Sequence, residues 1–339
     1  MADSAQVDVR RQLIGLTLGY QISAAIGAVA GLGIPDRLAG GPRSTEALAE
    51  EAGVDVSALE RLLRCMVAIG VLERVAGRYG LTEMGQLLRA DHPGSLRSGA
   101  MLYVEDWMWR PFAHVADAVR TGRTGFAVAH GIGLWQYLDD NPEAGGVFNQ
   151  HMARSAARMA AALTGTYDFA NVECLVDVGG GHGALVCSVL KANPTMRAVV
   201  FDRPSVMAGA AKQLAQAGLA DRCDLVGGDF FEAVPPGGDA YVLSWIVHDW
   251  SDSDAVRILG NVRTAVSDRG RLLLIEEVLP PDGVADFVHT SELAMLVIAG
   301  GRERTEAEFR QLYESAGFEL TRVLPIQSSP RSIIEGRPI

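Results

Sequence analysis

The chain has 339 residues, 48% hydrophobic and 21% charged, which is enough apolar material for two or three packed domains. A formal charge of −11 argues against nucleic acid or an anionic membrane surface as the partner. Cys65, Cys174, Cys187 and Cys223 lie far apart with no C-x-x-C pair, and no leader peptide is evident; they read as reduced core thiols of a cytoplasmic protein.

Leu13 to Ile34 carries no charged side chain and is long enough to cross a bilayer. Five glycines, with Thr17, Gln21 and Ser23, soften its hydrophobicity. The segment therefore reads as a helix buried in a subunit interface, where small residues permit close approach, rather than as a membrane span. A helix from Ala47 to Ala52 follows Ser44-Thr45-Glu46 and stops at Gly53. Ser57 opens the next, with Ser57-x-x-Glu60 as a capping box and Leu59, Leu62, Leu63, Met66 and Val67 along one face. Val71–Val75 and Arg78–Thr82 flank Ala76-Gly77, a hairpin signal. Two short helices and a hairpin make a winged helix, which raises DNA binding. Residues 1–100 hold ten arginines against eleven acids, whereas a DNA-reading face is basic, so no nucleic acid is expected.

Residues 100–165 read as helical and rich in aromatics and methionines. Most of these side chains belong to a core. Trp107, Phe112, Phe148 and Met152 are the candidates for lining a pocket that takes a flat, apolar small molecule.

From Asn171 the pattern changes to strand–helix alternation, with strands near 174–178, 197–202, 223–226, 239–244, 271–277 and 318–323. That order suits a doubly wound α/β sheet, whose ligands sit at the carboxyl ends of the strands. The first strand runs into Asp177-x-Gly179-x-Gly181-x-Gly183, where missing Cβ atoms let the backbone bend and a ligand lie against it. No lysine follows the glycines, so the turn is not a phosphate-cradling P-loop. The third glycine comes one residue early for a dinucleotide fingerprint. The second strand ends in Asp202, placed to accept hydrogen bonds from ribose hydroxyls. A glycine turn and a ribose acid without a phosphate site suit a nucleoside that carries no phosphate, and S-adenosylmethionine (SAM) is such a ligand.

The other strand ends carry the chemistry. Asp229 and Phe230 follow the third strand and can meet an adenine amino group and ring face. The fourth ends at Ser244 and leads into His248-Asp249. The fifth ends in Glu276-Glu277, and Glu303 follows in Gly300-Gly-Arg-Glu-Arg-Thr305. An imidazole with carboxylates from two other segments is a general base with its orienting groups. No H-x-x-x-H or C-x-x-C spacing occurs, so no metal is expected.

Val176-Asp-Val-Gly-Gly-Gly181, Trp245-Ile-Val-His-Asp-Trp-Ser-Asp252, Glu276-Glu-Val-Leu-Pro280 and Gly300-Gly-Arg-Glu-Arg-Thr305, in this order, carry a resemblance. The chain resembles the plant-type SAM-dependent O-methyltransferases and their bacterial relatives in antibiotic and polyketide tailoring, nearly end to end. The resemblance implies a winged-helix dimerisation domain over 1–100, mostly α-helical, a helical acceptor region over 101–165 and a Rossmann-like α/β SAM domain over 166–339. It implies a homodimer formed through the N-terminal region. It also implies His248 as general base flanked by Glu276 and Glu303 with Asp249 beside it, Asp202 on the ribose, and Asp229 and Phe230 on the adenine. Asp177, Gly179, Gly181, Gly183 and Ser244 complete the expected cofactor set. Two departures stand out: Ser244 where plant members carry Lys, and His182 between Gly181 and Gly183. The expected reaction is attack of an aromatic hydroxyl on the methyl of SAM while neutral His248 takes the proton. An N- or C-methyltransferase of the same fold, and a SAM-binding winged-helix regulator without turnover, are the alternative readings.

Overall fold

The computed structural model describes residues 2–281, 284, 288–327 and 329–339, the side chains of 2–7 and 161 excepted. The chain divides into two compact units, 1–109 and 110–339, so the region 101–165 falls on both sides of the division.

In the first unit the uncharged N-terminal stretch is two helices, Ala2–Thr17 and Gly19–Gly31, bent by 50° at Leu18. Among the described residues no single helix is long and apolar enough to cross a membrane; only this bent pair passes by length and composition. Its inner end contributes Val29 to a core with Leu48, Leu59, Leu63, Met66 and Tyr79. Its outer part leaves Leu13, Ile14, Leu16 and Tyr20 exposed. Helices Thr45–Ala52 and Val56–Ala68 and the hairpin β1 (Leu72–Val75) and β2 (Arg78–Leu81) form the winged helix. The cap of the second helix differs from expectation. Asp55, not Ser57, accepts from the backbone N–H of Ala58 at 2.8 Å. Glu60 is turned away to accept from the hydroxyls of Thr45 and Tyr79, with Arg74 at 3.3 Å. A carboxylate with those donors on hand satisfies more partners there than in a capping box.

The second unit is built on a sheet of β3 (Cys174–Val178), β4 (Arg197–Asp202), β5 (Cys223–Gly227), β6 (Ala240–Ser244), β7 (Arg271–Leu279), β9 (Phe318–Pro325) and β10 (Arg331–Pro338), with the short β8 (Arg304–Thr305) paired to β7. The order is β5-β4-β3-β6-β7-β10-β9. All neighbours run parallel except β10, which is antiparallel to both β7 and β9. Strands buried on both faces read as near-continuous apolar runs, and Cys174–Val178 and Ala240–Ser244 do. One face packs Leu175, Leu273 and Ile275 against Met159, Ala160 and Leu163 of helix Pro142–Thr166. The other packs Val176, Leu243, Leu272 and Leu274 against Ile258, Leu259 and Val262 of helix Asp252–Ala265. Strand β10 carries Arg331, Glu335 and Arg337 and had no strand signature in sequence. Its Glu335 is matched by Arg322 of β9 at 2.5 Å, which lets the strand sit inside the sheet.

Candidate active site

The glycine turn closes the carboxyl end of β3. Gly179, Gly181 and Gly183 have φ of 74°, 57° and 78°, so the alternate spacing is that of three left-handed residues. A Cβ on Gly179 would stand 2.3 Å from Ile246 of the loop after β6. The N–H of Gly181 donates to Asp202 Oδ2 at 2.8 Å, tying the end of β4 to the turn. His182 lies against Gly209, where a Cβ would meet its ring at 2.4 Å; the bulky departure is thus accommodated by a glycine on the next helix. Asp177 is 1% exposed and packs beneath Gly180. Burial first, and then Asp202, push its carboxyl up to about 7. Its Oδ2 has no hydrogen-bond partner.

Beyond β6 the chain turns sharply at Trp245, whose φ of 57° is left-handed although it is not glycine. Arg331 stacks on its indole at 3.6 Å. The turn leads into Val247–Asp249, one turn of 3₁₀ helix that presents His248. Three acids from three places converge there. Glu303 Oε1 accepts from His248 Nδ1 at 3.1 Å and from the Ser291 hydroxyl at 3.0 Å. Glu276 Oε2 lies 3.7 Å from the same nitrogen, while its Oε1 accepts from the N–H groups of Ile246 and Val247. Asp249 Oδ1 lies 3.6 Å from Nε2. Glu276 and Glu303 are fully buried, and the Oε2 of each has no hydrogen-bond partner. The geometry thus divides labour: Glu303 holds the ring, and Glu276 holds the loop that carries it.

Burial alone would favour the neutral ring, but Glu276, Asp249 and Glu303 together outweigh it and raise His248 to about 10. Burial in turn raises Glu276 to about 7 and Asp249 to about 6, against the pull of the imidazolium. Against the expectation of a neutral imidazole, two buried acids and a half-buried third around one ring favour the charged form in the protein without ligand. His248, Glu276 and Glu303 offer ligand atoms all within 4.8 Å of one another.

Asp229 is exposed, and its Oδ1 accepts from the N–H of Phe231 in a local turn. Phe230 sits in an edge-to-face cluster with Phe231 and Trp250, ring centroids 4.7–5.9 Å apart. Ser244 is half-buried at the end of β6. Phe148 and Met152 are half-buried, one helical turn apart on Pro142–Thr166, and Trp135 packs edge-on to Phe148 at 5.9 Å. Phe112 is 44% exposed. Trp107 is buried in the first unit. Sequence reasoning gave Trp250 and Ser291 no role. Trp250 stands inside the His-Asp motif and was within reach of that reasoning; Ser291 lies on a helix without any motif.

A glycine turn, an acid at the end of β4 and a His–acid centre thus gather at the carboxyl ends of parallel strands, and comparison decides the family. The family profile of the O-methyltransferase domain matches residues 112–319, and that of the O-methyltransferase dimerisation domain matches 14–91. The chain belongs to the O-methyltransferase family. It is 40% identical to the phenazine O-methyltransferase PhzM of Lysobacter antibioticus over 96% of both chains. It is 31% identical to the phenazine-1-carboxylate N-methyltransferase of Pseudomonas aeruginosa over 99% of both. The SAH-bound structure of CalO1, a methyltransferase in calicheamicin biosynthesis, superposes with a TM-score of 0.86 at 34% identity, covering 98% of this chain and 99% of that one.

The protein is a SAM-dependent methyltransferase with a Rossmann-like catalytic domain and an N-terminal helical dimerisation domain, and its chemistry needs no metal. Its residues fit the cofactor. The bare cradle at Gly179–Gly183 leaves open space at Gly181, and Asp177 Oδ2 is an orphaned buried acceptor at the foot of the same turn. Asp202 offers a half-buried carboxylate to hydroxyl donors, and Phe230 with Trp250 offers ring faces to a base.

Proposed function

We propose that the protein methylates a hydroxyl, phenolic in character, of an aromatic small molecule of secondary metabolism, with His248 as general base. The observation that carries this is the His248 centre, a ring bonded to Glu303 at 3.1 Å with the buried Glu276 and the half-buried Asp249 beside it. An amine acceptor needs little help from a base, whereas a phenol, with a pKa of about 10, does. SAM supplies a methyl group on a positively charged sulfur. Near a positive charge the imidazolium of His248 gives up its proton more readily, and Glu276 and Asp249, both pulled up toward neutrality, are placed to share it. The emptied ring then accepts the hydroxyl proton as attack proceeds, and Glu303 stabilises the imidazolium that results. A positioned base of this kind contributes roughly 10²–10⁴ in rate.

Asp202 holds the ribose, Asp229 and Phe230 the adenine with Trp250 beside them, and Gly179, Gly181, Gly183, Asp177 and Ser244 frame the rest. Phe148 and Met152, one helical turn apart on Pro142–Thr166, are the residues best placed within the second unit to meet the acceptor, with Phe112 as the third proposed residue. The aromatic character of the relatives' named substrates supports this class without naming the compound. The active form is a homodimer through the N-terminal region, supported by the exposed Leu13, Ile14, Leu16 and Tyr20 and by the dimerisation profile. Four cysteines outside any disulfide suit a reducing cytoplasm.

The test is a panel of hydroxylated and aminated phenazines, naphthoates and benzoates, assayed for S-adenosylhomocysteine, with products read for the mass of one added methylene. His248→Ala should leave SAM affinity nearly unchanged and cut turnover of the hydroxylated acceptor at least about a hundredfold. Equal turnover by the mutant, or methylation confined to amines, would sink the assignment.

A further inference from the structure

The backbone that carries His248 is gripped from one short segment. Arg304, 1% exposed, donates from Nη1 to the carbonyl of Val247 at 3.1 Å and from Nη2 to that of Trp250 at 2.9 Å. These carbonyls flank the catalytic turn. The same guanidinium is anchored by Asp252 Oδ1, reached from Nε at 2.9 Å and from Nη2 at 2.7 Å. Two residues earlier, the N–H of Arg302 donates to the carbonyl of His248 itself at 2.7 Å. Glu303, between them, bonds the His248 ring. Gly301 makes this approach possible, since a Cβ there would stand 1.8 Å from the His248 carbonyl oxygen.

A guanidinium presents its donors in a fixed planar fork. One that bonds the carbonyls on both sides of a 3₁₀ turn sets the direction of the side chain the turn carries. Arg302, Glu303 and Arg304 thus deliver, from consecutive residues, a bond to the His248 backbone, a bond to its ring and a clamp on its neighbours. Asp252 holds the fork in register although its own side chain is 61% exposed.

We infer that Arg304, locked by Asp252, is the positioning residue that keeps the His248 ring on Glu303. The inference rests on His248 being the base. It adds that, besides the hold of Glu276 on the preceding backbone, the aim of the base depends on the Arg304–Asp252 pair, which bonds the turn's carbonyls and not the ring.

The experiment compares Asp252→Asn with Asp252→Ala by following the His248 ring in nitrogen-15 NMR titrations of the S-adenosylhomocysteine-bound enzyme, with S-adenosylhomocysteine affinity measured alongside. Both variants remove the charge of Asp252, and only Asn keeps an oxygen for the fork. The expected result is a His248 titration near wild type in D252N and one displaced downward by about a unit or more in D252A, as the ring leaves Glu303, with affinity within threefold in both. Arg304→Lys, which keeps the charge but cannot reach both carbonyls, should behave like D252A and covers the case in which D252A fails to fold. An unmoved ring titration in a folded D252A or R304K, or equal shifts in D252N and D252A, would overturn the inference. These readouts need no acceptor, so a failure here is separate from a failure of His248→Ala to lose turnover.

Discussion

Glu276→Gln separates the two jobs assigned to that residue. The amide oxygen can still accept from Ile246 and Val247, which Glu276 Oε1 now does at 3.2 and 2.9 Å, so the loop keeps its shape. The negative charge 3.7 Å from His248 Nδ1 disappears. At an effective dielectric constant of ~20, a unit charge pair at that distance is worth about 4 kcal/mol, or about 3 pKa units. The His248 ring, now at about 10, should therefore titrate up to about 3 units lower in the variant. Its proton then leaves nearer to neutrality, and the rising limb of the pH–rate profile should move to lower pH with it. Nitrogen-15 NMR of the cofactor-free enzyme reads the first quantity, and turnover from pH 5.5 to 10 (roughly the span between the ordinary and shifted ring values) reads the second. A ring that titrates as in wild type while the loop stays in place would refute the claim that buried acids hold His248 charged.

Two further expectations follow from the glycine turn. Asp177 keeps a proton in the fold up to about 7 but loses it near the ordinary carboxylate value when unfolded. The native state then binds more protons across that interval, so this group's contribution falls as pH rises from about 4 to 7, by up to about 4 kcal/mol. Asp177→Asn should accordingly gain stability over wild type at pH 8 (about a unit above that shifted value), measured by urea unfolding, and the gain should be smaller at pH 5 (about a unit above the ordinary one); equal differences at both would refute the burial argument. Gly179→Ala forces a Cβ against Ile246 at 2.3 Å in a left-handed residue. Calorimetry should show SAM affinity lowered at least about tenfold, since a disturbance of about 1.4 kcal/mol suffices, and undiminished affinity would mean the turn is not the cofactor cradle.

The elements that local chemistry controls are legible in the chain itself. Alternate glycines after an apolar run specify a left-handed turn because only glycine adopts those angles cheaply, and Gly179, Gly181 and Gly183 do adopt them. Apolar runs bounded by turn signals placed β3 to β7 and β9; the central β3, β6 and β7 are buried on both faces, and the edge strands β5 and β9 are partly exposed. Motif order was enough to group His248, Glu276 and Glu303, and the structure places an oxygen of each acid 3.1–3.7 Å from the His248 ring nitrogen.

The rest depends on contacts between elements distant in the chain. β10 is made a strand by the partners on both sides of it, its charged Glu335 being tolerable once Arg322 arrives from β9. Ser57 and Glu60 have the spacing of a capping box, yet Thr45 and Tyr79 from neighbouring elements draw Glu60 away and Asp55 takes the cap. The charge state of His248 depends on three carboxylates that are distant in sequence or, for Asp249, adjacent but oriented by the turn. Arg304 looks like one more polar residue in Gly300–Thr305, and its grip on Val247 and Trp250 exists only because β8 pairs beside β7 and carries that segment against the His248 turn. Short-range patterns record which backbone angles and which buried faces a residue prefers; which donor meets which acceptor, and so which protons are held, is settled by elements that meet only after the chain has folded.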